Sequence, residues 1–313
     1  MRILIVTPAA KGTRLGNRVT ALRVAGLLRY LGHKVRVRSN WEADGSDVLF
    51  ALHARKSAEA LNQSRGSATT QKRVLILTGT DVYGDLEKDT VAQESLRIAD
   101  RVVVLQPRAL QCLPTTVQSK SRVIRQSARG IAGTPDPLHF DICVLAHLRP
   151  VKDPLLTARA ARLLPQSSRI RVRNVGSALD NASREEAENE QAQNPRFEWL
   201  GELRHPETLG VLSKSQLMVV TSHSEGGPAV VTEAIACGIP VLSTRIPAAE
   251  GLLGDDHPGL FPVGDEKALA VLLERCESDP SFIAELRERS VKLLPTVDPC
   301  REAQDLKQLL AEL

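Results

Sequence analysis

A chain of 313 residues is too long for one typical domain and suits two of about 150, each large enough for a sizeable core. Aromatic residues are only 3% of the total, so those cores must be aliphatic. The net charge of +4 is mild, and lysines and arginines are scattered rather than clustered with aromatics, which excludes a dedicated nucleic-acid surface and favours small anionic ligands.

Taken in chain order, apolar β-rich runs alternate with helical patterns, as parallel α/β units require. The first half predicts strands at Arg2–Thr7, Val35–Val37, Val48–Leu52, Arg73–Thr78, Arg101–Leu105 and Arg122–Ile124. A helix over Val19–Leu31 follows the first strand, with Gly32 as its cap. Its low charge density reads as a packed surface helix rather than a membrane-docking one. The Gly- and Pro-rich stretch Gly130–Pro137 reads as a linker. A second strand series runs through Asp141–His147, Arg169–Val175, Phe197–Leu200, Leu217–Thr221, Ile239–Ser243 and Gly259–Phe261. Helical stretches from Asp265, Ser281 and Cys300 finish the chain. The expected organisation is an N-terminal Rossmann-like domain over 1–132, a C-terminal one over 133–297, and a terminal segment 298–313.

The five cysteines lie far apart with no C-x-x-C, so neither a disulfide framework nor a zinc site is expected, and a reducing cytoplasm is the expected compartment. Because no run of about 18 apolar residues occurs, no stable membrane insertion is expected. The opening residues read as a core strand rather than a signal peptide.

The richest chemistry lies in Glu225-Gly-Gly-Pro-Ala-Val-Val-Thr-Glu233, two carboxylates bracketing the start of a helix that Gly238 ends before the next strand. Pro228 suits the first helical position, and Gly226 and Gly227 would let a ligand approach the backbone closely. Such a helix start offers N–H groups and partial positive charge to an anion, while the glutamates accept from hydroxyls. That chemistry suits a nucleotide sugar.

The run EGGPAVVTEAIACGIPVLST closely resembles the E-x7-E signature of family-4 glycosyltransferases. The resemblance implies the GT-B architecture, α/β with two Rossmann-like domains, parallel sheets and an interdomain cleft. It also implies that Glu225 faces the donor sugar, that Glu233 holds the nucleotide ribose, and that the last helix crosses back onto the first domain. In the same family an Arg and a Lys after the first strand of the second domain grip the donor diphosphate. Lys152 matches well, whereas His147 falls where the arginine usually sits and Arg149 is displaced by two residues. No D-x-D occurs, and Asp255-Asp256 reads as a solvated turn, so no metal and no cofactor are expected beyond the substrates.

In the first domain, GNRVTA (Gly16–Ala21), ALHARKS (Ala51–Ser57) and LTGTDVY (Leu77–Tyr83) resemble, in order, the selenosugar synthases of selenoneine biosynthesis. That resemblance implies transfer of a sugar, expected to be N-acetylglucosamine, from its UDP-sugar to selenophosphate. Many family-4 enzymes place a histidine-glycine pair where this chain has Thr78-Gly79-Thr80-Asp81. A hydroxyl acceptor often needs proton removal there, but a selenium anion does not. It needs a cationic pocket, to which Lys11, Arg14, Arg18, Arg55 and Lys56 could contribute, with Asn17, Thr78 and Thr80 as polar groups on the same rim. His53, at a predicted strand end, could donate to phosphate, act in a later hydrolytic step, or simply fill the core. Asp81 could cap a helix or orient His53.

Three readings stand side by side: a selenosugar synthase, an ordinary family-4 enzyme acting on a hydroxyl acceptor, and a non-catalytic nucleotide-sugar sensor. Intact Glu225, Glu233 and Lys152 count against the sensor. The oligomeric state is not legible.

Overall fold

In the computed structural model, which describes residues 1–13, 15–66, 70–83, 86 and 88–313, the chain divides into two compact units. Unit 1 comprises Met1–Gln126, Glu225–Gly227 and Pro299–Leu313, and unit 2 comprises Ser127–Ser224 and Pro228–Asp298.

Unit 1 is built on six parallel strands, β1 (Arg2–Val6), β2 (Lys34–Arg38), β3 (Val48–Leu52), β4 (Lys72–Leu77), β5 (Arg101–Val104) and β6 (Ser121–Val123), in the order β2-β1-β3-β4-β5-β6. Alternation along the strands fills a core on each face of the sheet. Ile3 and Ile5 of β1 point to one side with Phe50 and Leu52, where Val24, Ala25 and Leu28 of helix Gly16–Tyr30 cover them. Leu4 and Val6 point to the other, with Leu49, Leu75, Leu61 and Leu96. Each fully buried aliphatic contributes about 1.5–3 kcal/mol of transfer free energy. The C-terminal helix Pro299–Ala311 completes the first of these layers by burying Leu306, Leu309 and Leu310. Glu312 then pairs with Arg101 at 3.3 Å and Arg122 at 2.7 Å.

Unit 2 repeats the plan with β7 (Phe140–Leu145), β8 (Ile170–Val175), β9 (Phe197–Trp199), β10 (Leu217–Val220), β11 (Val241–Thr244) and β12 (Leu260–Phe261), ordered β12-β11-β10-β7-β8-β9 and all parallel. Ile142, Val144, Val172 and Val219 pack with Leu269 and Leu273 of helix Glu266–Ser278 and with Phe282 and Leu286 of helix Pro280–Leu293. The stretch Gly130–Pro137 forms neither helix nor strand and groups with this unit.

Every strand that the sequence predicts is present, with ends shifted by a residue or two. Helix Gly16–Tyr30 begins three residues before the expected Val19, because Gly16, Asn17 and Arg18 carry no apolar periodicity. Gly32, at φ +87°, ends it as expected. Among the described residues no helix is long and apolar enough to cross a membrane.

The strand order of each unit reverses beside its first strand, between β1 and β3 in one and between β7 and β10 in the other. Chains leaving adjacent strands in opposite directions open a crevice at their carboxyl ends, the place where open α/β sheets bind ligands.

Candidate active site

In unit 2 the loops at this reversal point carry the predicted diphosphate-binding residues. After β7 the chain runs through His147 to a tight turn in which the Arg149 carbonyl accepts from the Lys152 and Asp153 amides at 2.9 and 3.2 Å. After β10, Thr221 Oγ1 donates to the Lys152 carbonyl at 2.8 Å and the His223 amide donates to Val151 at 2.9 Å. Asp153, at φ +37°, is clamped by Arg159 Nη2 at 3.0 Å from both carboxylate oxygens. The turn is therefore tied to both loops that flank the reversal point. Arg149 is exposed and Lys152 half-buried.

His147 does not take the role of a loose cation. Its Nδ1 accepts from the Ser177 amide at 3.0 Å, and burial holds its pKa below the ordinary value against the raising effect of Glu202. With Nδ1 an acceptor the ring carries its proton on Nε2, a neutral donor, so Arg149 and Lys152 are the residues of this loop that carry full positive charge.

Helix Ala229–Ala236 follows β10 with Pro228 at its N-cap, φ −69° and ψ 106°, one position before the expected one. Gly238 ends it at φ +69°: its amide donates to Ile235 and that of Ile239 donates to Ala234, both at 2.9 Å, the Schellman pattern. Glu233 lies on the second turn with its side chain 14% exposed. Its Oε1 stands 2.9 Å from Nε2 of His205, the first residue of helix His205–Ser213, and this bond raises the His205 pKa above its ordinary value. His205 carries no sequence signal; only the fold joins it to a residue 28 positions away.

The turn Glu225–Gly227 groups with unit 1. A Cβ on Gly226 would lie 2.5 Å from the Gly79 nitrogen and 2.7 Å from the Thr78 carbonyl carbon, and one on Gly227 would lie 2.6 Å from Leu105 Cβ. The glycines thus admit the ends of β4 and β5, a packing requirement that stands beside the expected approach of a ligand. Gln126 donates to the Gly227 carbonyl, fixing the turn from the end of β6.

At the reversal point of unit 1, the loop after β1 carries Lys11, exposed, and leads to Asn17 and Arg18, half-buried in the first turn of helix Gly16–Tyr30. Arg14 and the Thr80 side chain lie outside the described residues. After β3 comes His53, only 5% exposed and at φ +74°, a conformation that side chains rarely adopt and that costs about 1–3 kcal/mol. Its Nδ1 stands 3.7 Å from Asp81, and burial, the largest influence, pulls its pKa below the ordinary value despite that carboxylate. Asp81 accepts from the Ala54 amide at 2.9 Å and the Gly79 amide at 2.8 Å, tying the ends of β3 and β4 together, and makes no hydrogen bond to His53 Nδ1. Thr78 Oγ1 and His53 Nδ1 are both buried without a hydrogen-bond partner among the described residues. Arg55 pairs with Asp89 at 3.4 Å and Lys56 is exposed. Unit 1 therefore brings Thr78, His53, Asp81 and the Glu225–Gly227 turn to the carboxyl edge of its sheet, and unit 2 brings together the Arg149–Lys152 loop and the helix bearing Glu233.

Asp256, of the pair expected as a solvated turn, is exposed and bonds Arg289 at 3.0 Å. Among the described residues no three His, Cys, Asp or Glu side chains are grouped to hold a metal ion.

This architecture is shared with known proteins. The structure resembles Anabaena HepE in complex with UDP with a TM-score of 0.79 over 100% of both chains at 17% identity. It resembles sucrose-phosphate synthase from Thermosynechococcus elongatus with a TM-score of 0.79 at 16% identity, covering 99% of this chain and 98% of the other. In sequence, the chain is 24% identical over 290 residues to Glycosyltransferase 1 domain-containing protein 1 of Xenopus tropicalis, covering 83% of each. These likenesses establish the GT-B fold. Residues 136–292, just over half of the chain, match the family described as Glycosyl transferases group 1, and the protein is a member of that family.

Proposed function

We propose that the protein is a selenosugar synthase that transfers a sugar, N-acetylglucosamine, from its UDP-sugar to selenophosphate. The UDP-sugar half of this reading is carried by one observation: in unit 2 the Lys152 turn and the Glu233 helix flank a single strand-order reversal point, as nucleotide-binding groups do in such sheets. HepE, whose structure holds UDP, supports it. The acceptor half rests on the GNRVTA, ALHARKS and LTGTDVY segments, with Thr78 where related enzymes carry a histidine.

The chemistry requires little of the protein beyond placement and charge. The selenium of selenophosphate attacks the anomeric carbon, a C–Se bond forms, the C–O bond to the diphosphate breaks, and UDP leaves with the electron pair. Lys152 and Arg149 offset the charge that develops on the leaving group. Glu225 orients the donor sugar and Glu233 accepts from the ribose hydroxyls. Lys11, Asn17, Arg18 and Thr78 supply polar and cationic groups to the acceptor side. His53 donates to the acceptor phosphate. Five cysteines spread far apart with no C-x-x-C support work in a reducing cytoplasm.

A second reading, transfer to a hydroxyl, is favoured by His53 alone: a neutral imidazole 3.7 Å from a buried carboxylate is suited to take a proton. The two are separated by incubating purified protein with UDP-N-acetylglucosamine and selenophosphate and analysing products by mass spectrometry. UDP and a selenium-bearing sugar are expected in equal amounts, with chelator present or absent. Efficient glycosylation of a hydroxyl acceptor with no selenium-bearing product would overturn the proposal.

Glu233→Ala should weaken UDP binding by about 1–3 kcal/mol, the value of charge-assisted bonds to both ribose hydroxyls. Calorimetry showing unchanged affinity in the folded variant would remove Glu233 from that role.

A further inference from the structure

We propose that His205 is a positioning residue that presents the Glu233 carboxylate to the ribose of a nucleoside diphosphate and so sets the preference for ribose over deoxyribose. The inference rests on the reading of Glu233 as the ribose acceptor and adds to it a partner that no motif marks.

His205 is held in place independently of Glu233. It opens helix His205–Ser213 directly after Arg204, whose amide donates to Glu207 at 2.9 Å while its guanidinium pairs with the same carboxylate. The Glu207 carboxylate thus satisfies the Arg204 amide and guanidinium together, which fixes the first turn and with it the backbone from which the imidazole projects. From there Nε2 reaches Glu233 Oε1 at 2.9 Å. The two ends of the contact differ in exposure, 62% for the histidine side chain and 14% for the glutamate. An exposed ring thus reaches in to a carboxylate that is mostly covered.

A glutamate on a helix face samples several rotamers, and ordering it on ligand binding costs up to about 2 kcal/mol. A bond already in place bears that cost before the ligand arrives, the ordinary route by which preorganisation raises affinity. With Oε1 bound to His205, the geometry of the carboxylate is set, Oε2 faces a defined direction, and each oxygen keeps a lone pair for a hydroxyl donor. The raised pKa of His205 means that Glu233 favours the protonated ring, which strengthens the bond. Because the effect passes through Glu233, it should appear in contacts with the ribose hydroxyls and not in contacts with the diphosphate.

Affinities for UDP and 2′-deoxy-UDP are measured by calorimetry on the intact wild type and on His205→Ala, His205→Gln and Glu233→Ala. Wild type should prefer UDP by about tenfold or more, the worth of one charge-assisted hydrogen bond. In His205→Ala the preference should fall to about threefold or less, with UDP weakened and 2′-deoxy-UDP nearly unchanged. His205→Gln, whose amide nitrogen can take the place of Nε2, should restore most of it. Equal weakening of both nucleotides in His205→Ala, or no weakening of either, overturns the proposal, since a merely structural tie between the two helices would do one of these. A wild type that binds UDP while Glu233→Ala keeps the full preference overturns the ribose reading itself, and with it the role given to His205.

Discussion

Glu302→Ala is expected to cost the protein about 3–5 kcal/mol of stability, because it leaves a buried guanidinium without its counter-ion. Arg23 Nε lies 3.1 Å from both Glu302 oxygens, with side chains 17% and 3% exposed. Nη1 of the same arginine donates to Gln126 Oε1 at 2.7 Å, and Gln126 donates onward to the Gly227 carbonyl. The relay links the C-terminal helix, the first helix and the turn that follows Glu225, all within unit 1. Removing the carboxylate therefore strands Arg23 and loosens the anchor of that turn. The double variant Arg23→Leu with Glu302→Leu should recover much of the loss, since two apolar groups of similar volume need no pairing. Urea unfolding of the wild type and the two variants checks both statements. A loss below about 1 kcal/mol for Glu302→Ala would show that water or relaxation compensates the charge.

How much of this was legible in the sequence follows from the range of each interaction. The strands were legible because their side chains alternate between two aliphatic layers, a local pattern that β1 shows in four consecutive buried residues, Ile3 to Val6. The turn and helix that follow Glu225 were legible from local start and stop signals, Pro228 and Gly238. The packing that also requires the turn's glycines was not, since Gly226 is bounded by Thr78 and Gly79 and Gly227 by Leu105, residues more than a hundred positions earlier. Pro228 was misplaced by one position because the choice between cap and first turn depends on ψ, which proline does not fix. His53 was visible as a strand-end histidine, but its left-handed backbone and its neighbour Asp81 come from how β3 and β4 end side by side. His205 was invisible for the same reason: no periodicity or motif joins the start of one helix to the second turn of another.

His147 shows the converse case, where a sequence comparison raised a question that geometry answers. Its position suggested a substitute for the arginine of related enzymes, but the Ser177 amide already occupies Nδ1 and burial disfavours the cation. Arg149 and Lys152 are then the cations this turn offers to the proposed diphosphate, and the turn is braced by Thr221, His223 and the Asp153–Arg159 pair. The turn folds back, so that the Lys152 amide reaches the Arg149 carbonyl at 2.9 Å and the two residues share one loop.

The protein should also lose about 3 kcal/mol of stability between roughly pH 6.5 and 4, through one histidine. His257 is 1% exposed, its Nδ1 accepts from the Gly259 amide at 3.2 Å, and its Nε2 is buried without a partner among the described residues. Burial, with Arg289 adding to it and Asp256 opposing it, pushes its pKa down to about 4. The unfolded chain takes up the proton near the ordinary value of 6.5 and the folded chain only near 4. Over that interval the unfolded state binds more protons, so stability falls as the solution is acidified and levels off below the folded value. Above 6.5 both states are neutral at this site and the contribution is complete. His257→Asn keeps an acceptor for the Gly259 amide and removes the titration, so the difference in urea midpoint between wild type and variant should be pH-independent above 6.5 and should change in the variant's favour as the pH falls to 4. Parallel midpoints for the two proteins across that range would mean that His257 titrates alike in both states, and the acid sensitivity would then have to be sought in the carboxylates.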